Sequence, residues 1–187
     1  TMPIRAGNRL VYVQRRGSIV RDMEYAYATD SYGGYDLTLL SKHLIHNHEI
    51  KDCCFAQEPD SVLYFVRDDG QILCLTYIME QKVYAWSHIV TAGRAEALCA
   101  TEYGNNDIVY AVINRTVNGQ VRRYIEMMDI DRDSQNQQDY IMLDCAVRYV
   151  YQSAQKTISG LEHLEGCRVL AMGDGYLYEP KTVKNGA

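Results

Sequence analysis

The densest group of chemically capable side chains is a run of histidines followed by two cysteines. His43, His46 and His48 fall within six residues and precede Cys53 and Cys54. Imidazole nitrogens and thiolate sulfurs are the ligands that Zn²⁺ takes in proteins. Neither an i,i+4 histidine pair nor a CxxC pair is present, so the pattern favours a surface turn before a strand. We therefore expect no metal and no cofactor. His43, His46 and His48 are the weak candidates for a metal site that the sequence offers.

Acidic residues form two further groups, one that could bind calcium and one that could hydrolyse glycosides. The run 129–133 begins like a calcium loop but lacks the Gly and the Glu that an EF-hand requires at its sixth and twelfth positions. Asp68 and Asp69, or Glu96 and Glu102, would be a carboxylate pair for glycoside hydrolysis only if they faced one cleft. Asp69 is explained better by a hairpin turn, and no nucleophile elbow or phosphate loop accompanies these acids. The sequence therefore predicts a protein that is not an enzyme.

One aromatic and three basic residues suggest surfaces for interaction. Trp86, the only tryptophan, is either a sugar platform on a strand or a packing residue inside a sheet. Arg115, Arg122 and Arg123 form a local basic patch, which favours an ion-paired strand surface or a subunit contact. The net charge of −5 argues against a protein that grips nucleic acid tightly. These four residues are the predicted interaction surface.

Repeated hairpins must position these side chains. The turns contain Gly17, Gly70, Gly119 and Gly175, each between two runs of β-forming residues. Asp-Gly and Asn-Gly at such places are typical of hairpins, because both central residues of a type I′ turn need positive φ. These glycines are therefore the predicted structural turns.

Tyrosines mark the period of the repeat. Tyr12, Tyr64 and Tyr110 recur about every fifty residues, a period typical of propeller blades, and we expect them at equivalent places on equivalent strands. The predicted strands are 50–56, 62–67, 72–78 and 83–88 in the second unit, and 95–100, 108–114, 120–128 and 140–145 in the third. Four antiparallel strands per repeat make a propeller blade.

The fold prediction follows from these units. We expect an all-β chain that is partly propeller-like, with blades at about 1–49, 50–93 and 94–145 inside a region 1–145. Residues 146–187 form a smaller β-rich segment, the start of a further domain in a longer parent chain. Helix should be scarce, with one short helix at 37–44 capped by Asp36. No apolar run approaches the ~20 residues that cross a bilayer, so we expect no membrane contact.

The order and spacing of several short motifs give the last signal. They are the segments 7–14, 35–38, 59–70, 75–77, 80–86, 118–126 and 160–166. Together they resemble the tail structural proteins of short-tailed bacteriophages and prophages, of the tail-nozzle or tail-tubular-protein-B type, from about Pro3 to Gly186.

The resemblance implies a virion component without catalytic residues, made in the bacterial host cytoplasm and assembled into the tail. Its partners would be other tail and connector proteins and further copies of itself in a ring, with DNA passing through without sequence-specific recognition. Members of this family are longer than this chain, so the resemblance also implies a fragment. Two alternatives stay open: a propeller-type carbohydrate-binding module, and a module of a bacterial protein that binds other proteins through sheet edges.

Overall fold

Antiparallel strands dominate the computed structural model, which describes residues 1–128 and 144–187. Strands account for 49% of the residues and helices for 6%, so the prediction of an all-β chain with little helix is confirmed. Among the described residues, none of the helices is both long and apolar enough to span a bilayer.

The strand bounds follow the chain in order. The described strands are β1 Ile4–Ala6, β2 Arg9–Val13, β3 Val20–Ala26, β4 Ser31–Gly33, β5 Ile50–Ala56, β6 Val62–Arg67, β7 Ile72–Ile78, β8 Val83–Ile89, β9 Arg94–Tyr103, β10 Asn106–Val117, β11 Gln120–Met127, β12 Arg168–Val169, β13 Met172–Gly173, β14 Tyr176–Leu177 and β15 Lys181–Thr182. One short helix, α1, covers Lys42–Ile45, and single 3₁₀ turns cover Tyr27–Thr29 and Glu162–Leu164.

In the three larger sheets each strand pairs with its neighbour in sequence. The first sheet has the order β1-β2-β3-β4, the second β5-β6-β7-β8 and the third β11-β10-β9, while β12–β15 and β13–β14 are two-stranded. The four-stranded second unit was therefore predicted correctly, and β5, β6 and β7 have the predicted bounds. The third unit was predicted with four strands, of which three lie among the described residues. The predicted strand 140–145 falls mostly outside the described residues, and its last two residues, 144 and 145, lie in a turn.

The second sheet buries both of its faces. Leu63, Phe65 and Leu75, at most 1% exposed, pack on one face in a cluster that includes Val11 and Val20 of the first sheet. On the other face Cys54, Val66, Ile72 and Cys74 pack in a cluster with Ala95, Val109, Ala111 and Ile113 of β9 and β10. Since side chains alternate along a strand, only a nearly continuous apolar run such as Ile72–Leu75 supplies both faces. Burying each large side chain contributes ~1.5–3 kcal/mol.

The three repeat tyrosines lie on equivalent strands but not all at equivalent places. Tyr12, Tyr64 and Tyr110 each lie on the second strand of a unit. Tyr64 packs towards the third sheet, whereas in the first sheet it is Val11, and not Tyr12, that packs towards the second. The expected equivalence is therefore wrong for Tyr12, because an offset of one residue moves a side chain to the opposite face of a strand.

The short helix begins later than predicted. Asp36 accepts hydrogen bonds from the backbone N–H of Thr38 at 2.9 Å and from the Thr38 hydroxyl, which closes an Asx turn instead of capping a helix. The chain then turns again, and α1 begins only after Ser41. The N–H of Ser41 donates to the carbonyl of Thr38 at 2.9 Å, three residues earlier, so a tight turn stands where the first helical turn was predicted.

The chain divides into two compact units. The first contains Thr1–Asn114 and Tyr124–Ile130, and the second contains Arg115–Arg123 and Asp131–Ala187. The first and second sheets belong to the first unit, and the two-stranded sheets β12–β15 and β13–β14 belong to the second.

The predicted glycine turns are of two kinds. Asn118–Gly119 and Asp174–Gly175 have positive φ at both residues, as a type I′ turn requires. In the Asp69–Gly70 turn only Gly70 has positive φ, of 85°, and its N–H donates to the carbonyl of Arg67 at 2.9 Å. That turn is a type I turn followed by a left-handed glycine, so the type I′ expectation is wrong there.

Candidate functional site

The feature that organises the first compact unit is a repeated hydrogen bond from one sheet to the next. The carbonyl of Gly17, in the β2–β3 turn, accepts from the N–H of Ile50 at 3.0 Å. The carbonyl of Gly70, in the β6–β7 turn, accepts from the N–H of Ala95 at 2.9 Å. In both cases the central hairpin of one sheet is fastened to the beginning of the first strand of the next. The same connection between consecutive sheets therefore occurs twice along the chain.

Glycine is required at both contacts for two reasons. Gly17 and Gly70 have φ of 74° and 85°, a region that L-residues with a Cβ rarely adopt. A Cβ on Gly70 would lie 2.6 Å from Cβ and 2.8 Å from Cα of Arg94, and one on Gly17 would lie 3.0 Å from Cβ of Glu49. The missing side chain therefore allows the turn to touch the following strand.

Aspartates add side-chain links between the second and third sheets. Asp52 accepts from the N–H of Leu98 at 2.8 Å. Asp107 accepts from the N–H groups of Gln57 and Glu58, at 2.6 and 3.1 Å. Bonds from backbone N–H groups to carboxylates are charge-assisted and stronger than neutral ones, so they fix the register between the sheets.

A buried carboxylate joins the first sheet to the second. Asp22 on β3 is 1% exposed and accepts from Arg9 Nη1 at 2.7 Å, from the Tyr77 hydroxyl at 2.9 Å and from the N–H of Tyr35. Burial, followed by the hydrogen bond to Asp22, raises the pKa of Tyr77. Close packing of the Gly34 backbone completes the enclosure, since a Cβ there would lie 1.9 Å from the carbonyl oxygen of Asp22. The sequence reasoning missed this group, although an acid at a core-facing position of β3 was its signal.

Trp86, for which both a sugar platform and a packing role were considered, packs in this part of the fold. The Trp86 ring lies 5.4 Å from the ring of Phe65, and its indole N–H donates to the carbonyl of Leu37 at 2.7 Å. Phe65 and Leu37 both belong to the hydrophobic cluster between the first two sheets. Trp86 is therefore placed as a packing residue, which was the other interpretation of its position.

The three arginines do not form one patch. Arg115 is 5% exposed and pairs with Asp144, with nitrogen–oxygen distances of 3.1 and 3.3 Å. Arg122 is exposed and donates to the side chain of Gln120 at 2.9 Å, and Arg123 is also exposed. The prediction that Arg115 belongs to an exposed basic patch is therefore corrected. Arg115 is buried, and its guanidinium pairs with Asp144 of the same unit.

The outer face of the first sheet is a surface that the sequence did not single out. Cross-strand pairs place Leu10 beside Met23 and Tyr25 beside Tyr32 on this face. The Tyr25 and Tyr32 rings meet edge to face at 5.3 Å, and their side chains are 45% and 71% exposed. Tyr27 follows at 90% exposure. Large amphipathic rings on an open sheet face are typical of protein interfaces, and their high number in the composition was the available signal.

The second compact unit also exposes aromatic residues. Tyr176 and Tyr178 meet edge to face at 5.0 Å, and Tyr149 stacks on Tyr151 at 5.9 Å. Leu177, next to the first pair, is 58% exposed. Paired rings lose little freedom on binding because they already restrain each other.

The predicted metal candidates separate in the structure. His48 lies with Asp68 and Asp69, whose carboxylates approach its ring at 2.8 and 3.8 Å. His43 and His46 are exposed and belong to no group with metal-binding geometry among the described residues. Cys53 and Cys54 lie on β5 as free thiols. The predicted loop 129–133 lies outside the described residues.

The remaining acids have partners other than each other. Glu96 accepts from the side-chain amide of Asn114 at 3.1 Å, and Glu102 is exposed at the opposite end of β9. Hydrogen bonding from Arg67 is the main cause that lowers the pKa of Asp69 to about 2, and hydrogen bonding from His48 lowers the pKa of Asp68. Both aspartates are therefore ionised at neutral pH. In the part of the chain that the structure describes, these acids do not face each other across a cleft.

A comparison with protein-family models and with curated proteins finds no match for this chain.

Proposed function

We propose that this chain is a structural component of a bacteriophage or prophage tail and that it contributes to the wall of the nozzle or tail tube. The observation that carries the proposal is the repeated fastening of one sheet to the next, by Gly17 to Ile50 and by Gly70 to Ala95. Stacked antiparallel sheets joined in this way form a stiff wall from short repeats. The order of motifs that resembles tail proteins adds the biological setting.

The chemistry of the described side chains agrees with a passive role. Asp22, the most completely enclosed acid among the described residues, is surrounded by hydrogen-bond donors that hold two sheets together. Trp86 is likewise used in packing. A net charge of −5 suits a surface that DNA passes without being held, since tight binding would require a basic balance. We therefore propose a protein that is not an enzyme.

The proposed partners are further copies of the protein and other tail or connector proteins. The outer face of the first sheet, with Tyr25 and Tyr32 exposed on it and Tyr27 exposed in the 3₁₀ turn that follows β3, is the surface that best fits such a contact. Tyrosine is enriched at interfaces because its ring contributes apolar area while its hydroxyl tolerates water. Arg5 and Arg21 lie on the same face by strand alternation and add charged positions that would orient the partner.

The proposal is tested on virus particles. Antibodies raised against the recombinant chain are applied to particles purified from the strain that encodes it, and gold label is located by electron microscopy. Label at the tail end of the particle, together with peptides of this chain in the particle proteome, is the expected result. Particles that contain neither would overturn the proposal, and the same peptides in particle-free cell extract would then favour the bacterial protein-binding module.

A further inference from the structure

Three metal-ligating side chains meet at the turn between β6 and β7. One ligand atom each from His48, Asp68 and Asp69 lies within 4.8 Å of the other two. Nδ1 of His48 is 2.8 Å from Asp68 Oδ1, and Nε2 is 3.8 Å from Asp69 Oδ2. Their side chains are 31%, 35% and 39% exposed, so an ion from solvent can reach them. The proposed tail function uses none of the three.

The backbone holds these ligands from several directions. The N–H of Asp68 donates to the carbonyl of Glu49 at 2.8 Å, and the N–H of His48 donates to that of Ile45 at 3.0 Å. The adjacent Gly70 is fastened to Ala95. Two segments that are twenty residues apart in sequence are thus fixed against each other before any ion binds, and fixed ligands lose little entropy on coordination.

The surrounding charges decide which ion fits. Arg67 donates to both carboxylate oxygens of Asp69, and Arg94 donates to the backbone carbonyl of Asp68 at 3.1 Å. Lys51, on β5, is paired with Glu49 at 2.7 Å. The positive charges of these three residues weaken the binding of Mg²⁺ or Ca²⁺ at the carboxylates, because such hard ions depend on the charge of the carboxylates alone. An ion that also gains from imidazole coordination is favoured.

We propose that His48, Asp68 and Asp69 form a binding site for a divalent transition-metal cation of the Zn²⁺ class. One imidazole nitrogen and two carboxylate oxygens provide three protein ligands, and water completes the shell, as in zinc sites that keep an open position. Carboxylate oxygens accept more than one partner, so Asp69 coordinates the ion with its Arg67 contact retained. The bound ion fastens the entry of β5 to the turn that carries Gly70.

Calorimetric titration of the chelator-treated chain with Zn²⁺ tests the proposal, with Mg²⁺ as the comparison ion. We expect one Zn²⁺ per chain and a dissociation constant for Mg²⁺ at least about tenfold weaker. His48→Ala should weaken Zn²⁺ binding at least about tenfold. His46→Ala is the matched control, since it removes an exposed neighbouring histidine outside the group, and it should leave the binding unchanged.

Asp68→Asn keeps the size of the side chain and gives a second variant if His48→Ala alters the fold. Amide spectra recorded with substoichiometric Mn²⁺ locate the ion independently, and we expect broadening at the amides of residues 48, 68 and 69. Absence of Zn²⁺ binding up to about 1 mM, the weak limit of biological divalent sites, would overturn the proposal. Equal weakening by His46→Ala, or broadening elsewhere, would do the same.

Discussion

The hydroxyl of Tyr77 donates a hydrogen bond to the buried carboxylate of Asp22 at 2.9 Å. This bond joins the third strand of the first sheet to the third strand of the second, 55 residues apart in sequence. Arg9 donates to the same carboxylate from β2. A charge that is 1% exposed is tolerated only because several donors compensate its lost hydration.

We predict that Tyr77→Phe lowers the free energy of unfolding by ~1.5–3 kcal/mol, because it removes one donor from a buried charge. Tyr84→Phe is the matched control, since the Tyr84 hydroxyl donates to the thioether of Met79 and, among the described contacts, does not donate to Asp22, and it should cost less than ~1 kcal/mol. Urea denaturation followed by the fluorescence of Trp86 measures both. Equal losses in the two variants would show that the ring environment, and not the bond to Asp22, matters.

The same hydroxyl predicts a loss of stability in alkali. Burial and the bond to Asp22 raise the pKa of Tyr77 above its usual value of 10. A folded pKa above the unfolded one gives a contribution that is complete below pH ~10 and is lost as the pH rises towards the folded pKa. Urea midpoints at pH 8 and about pH 11 should therefore differ more in the wild type than in Tyr77→Phe. An unchanged pH dependence in the variant would contradict this.

Two glycine turns should differ in their tolerance of a methyl group. Gly70→Ala adds strain at positive φ and a clash with the Arg94 backbone, and we expect a loss of ~3 kcal/mol. At Gly119 an added Cβ meets no described heavy atom within 4 Å, so Gly119→Ala carries only the conformational cost of ~1 kcal/mol. Thermal melts of both variants measure the difference. A larger loss of stability in Gly119→Ala than in Gly70→Ala would contradict the role assigned to the Gly70 contact.

The thiols should react in a fixed order. Burial, followed by the charge of Asp52, raises the pKa of Cys54 to about 12, and the same two causes raise that of Cys53 to about 11. Cys99 is exposed. Because the thiolate is the reactive form, iodoacetamide at pH 8 should label Cys99 about a hundredfold faster than Cys54. Mass spectrometry of timed digests gives the order, and early modification of Cys54 would contradict the packing of β5.

Much of the second sheet could be predicted because its signals are local. Alternating and continuous apolar runs gave β5, β6 and β7 their bounds, and the Asp69–Gly70 turn marked the hairpin between β6 and β7. Strands of three residues such as β1 and β4 escaped prediction, since they form by pairing with β2 and β3 and carry little propensity of their own. The predicted helix at 37–44 was wrong in its first half, where a tight turn closed by the bond from the N–H of Ser41 to the carbonyl of Thr38 precedes α1.

The sequence alone determined that the chain is built from antiparallel hairpins, where most of their strands lie, and that glycines close the turns. These properties follow from residue periodicity and from the φ angles that each residue type permits. Only the tertiary structure decided which sides of those strands meet. It turned Val11 inwards in place of Tyr12, buried Arg115, packed the half-buried Trp86 against Phe65, and brought His48 to Asp68 and Asp69. Such contacts depend on the packing of segments far apart in sequence, which no local pattern specifies.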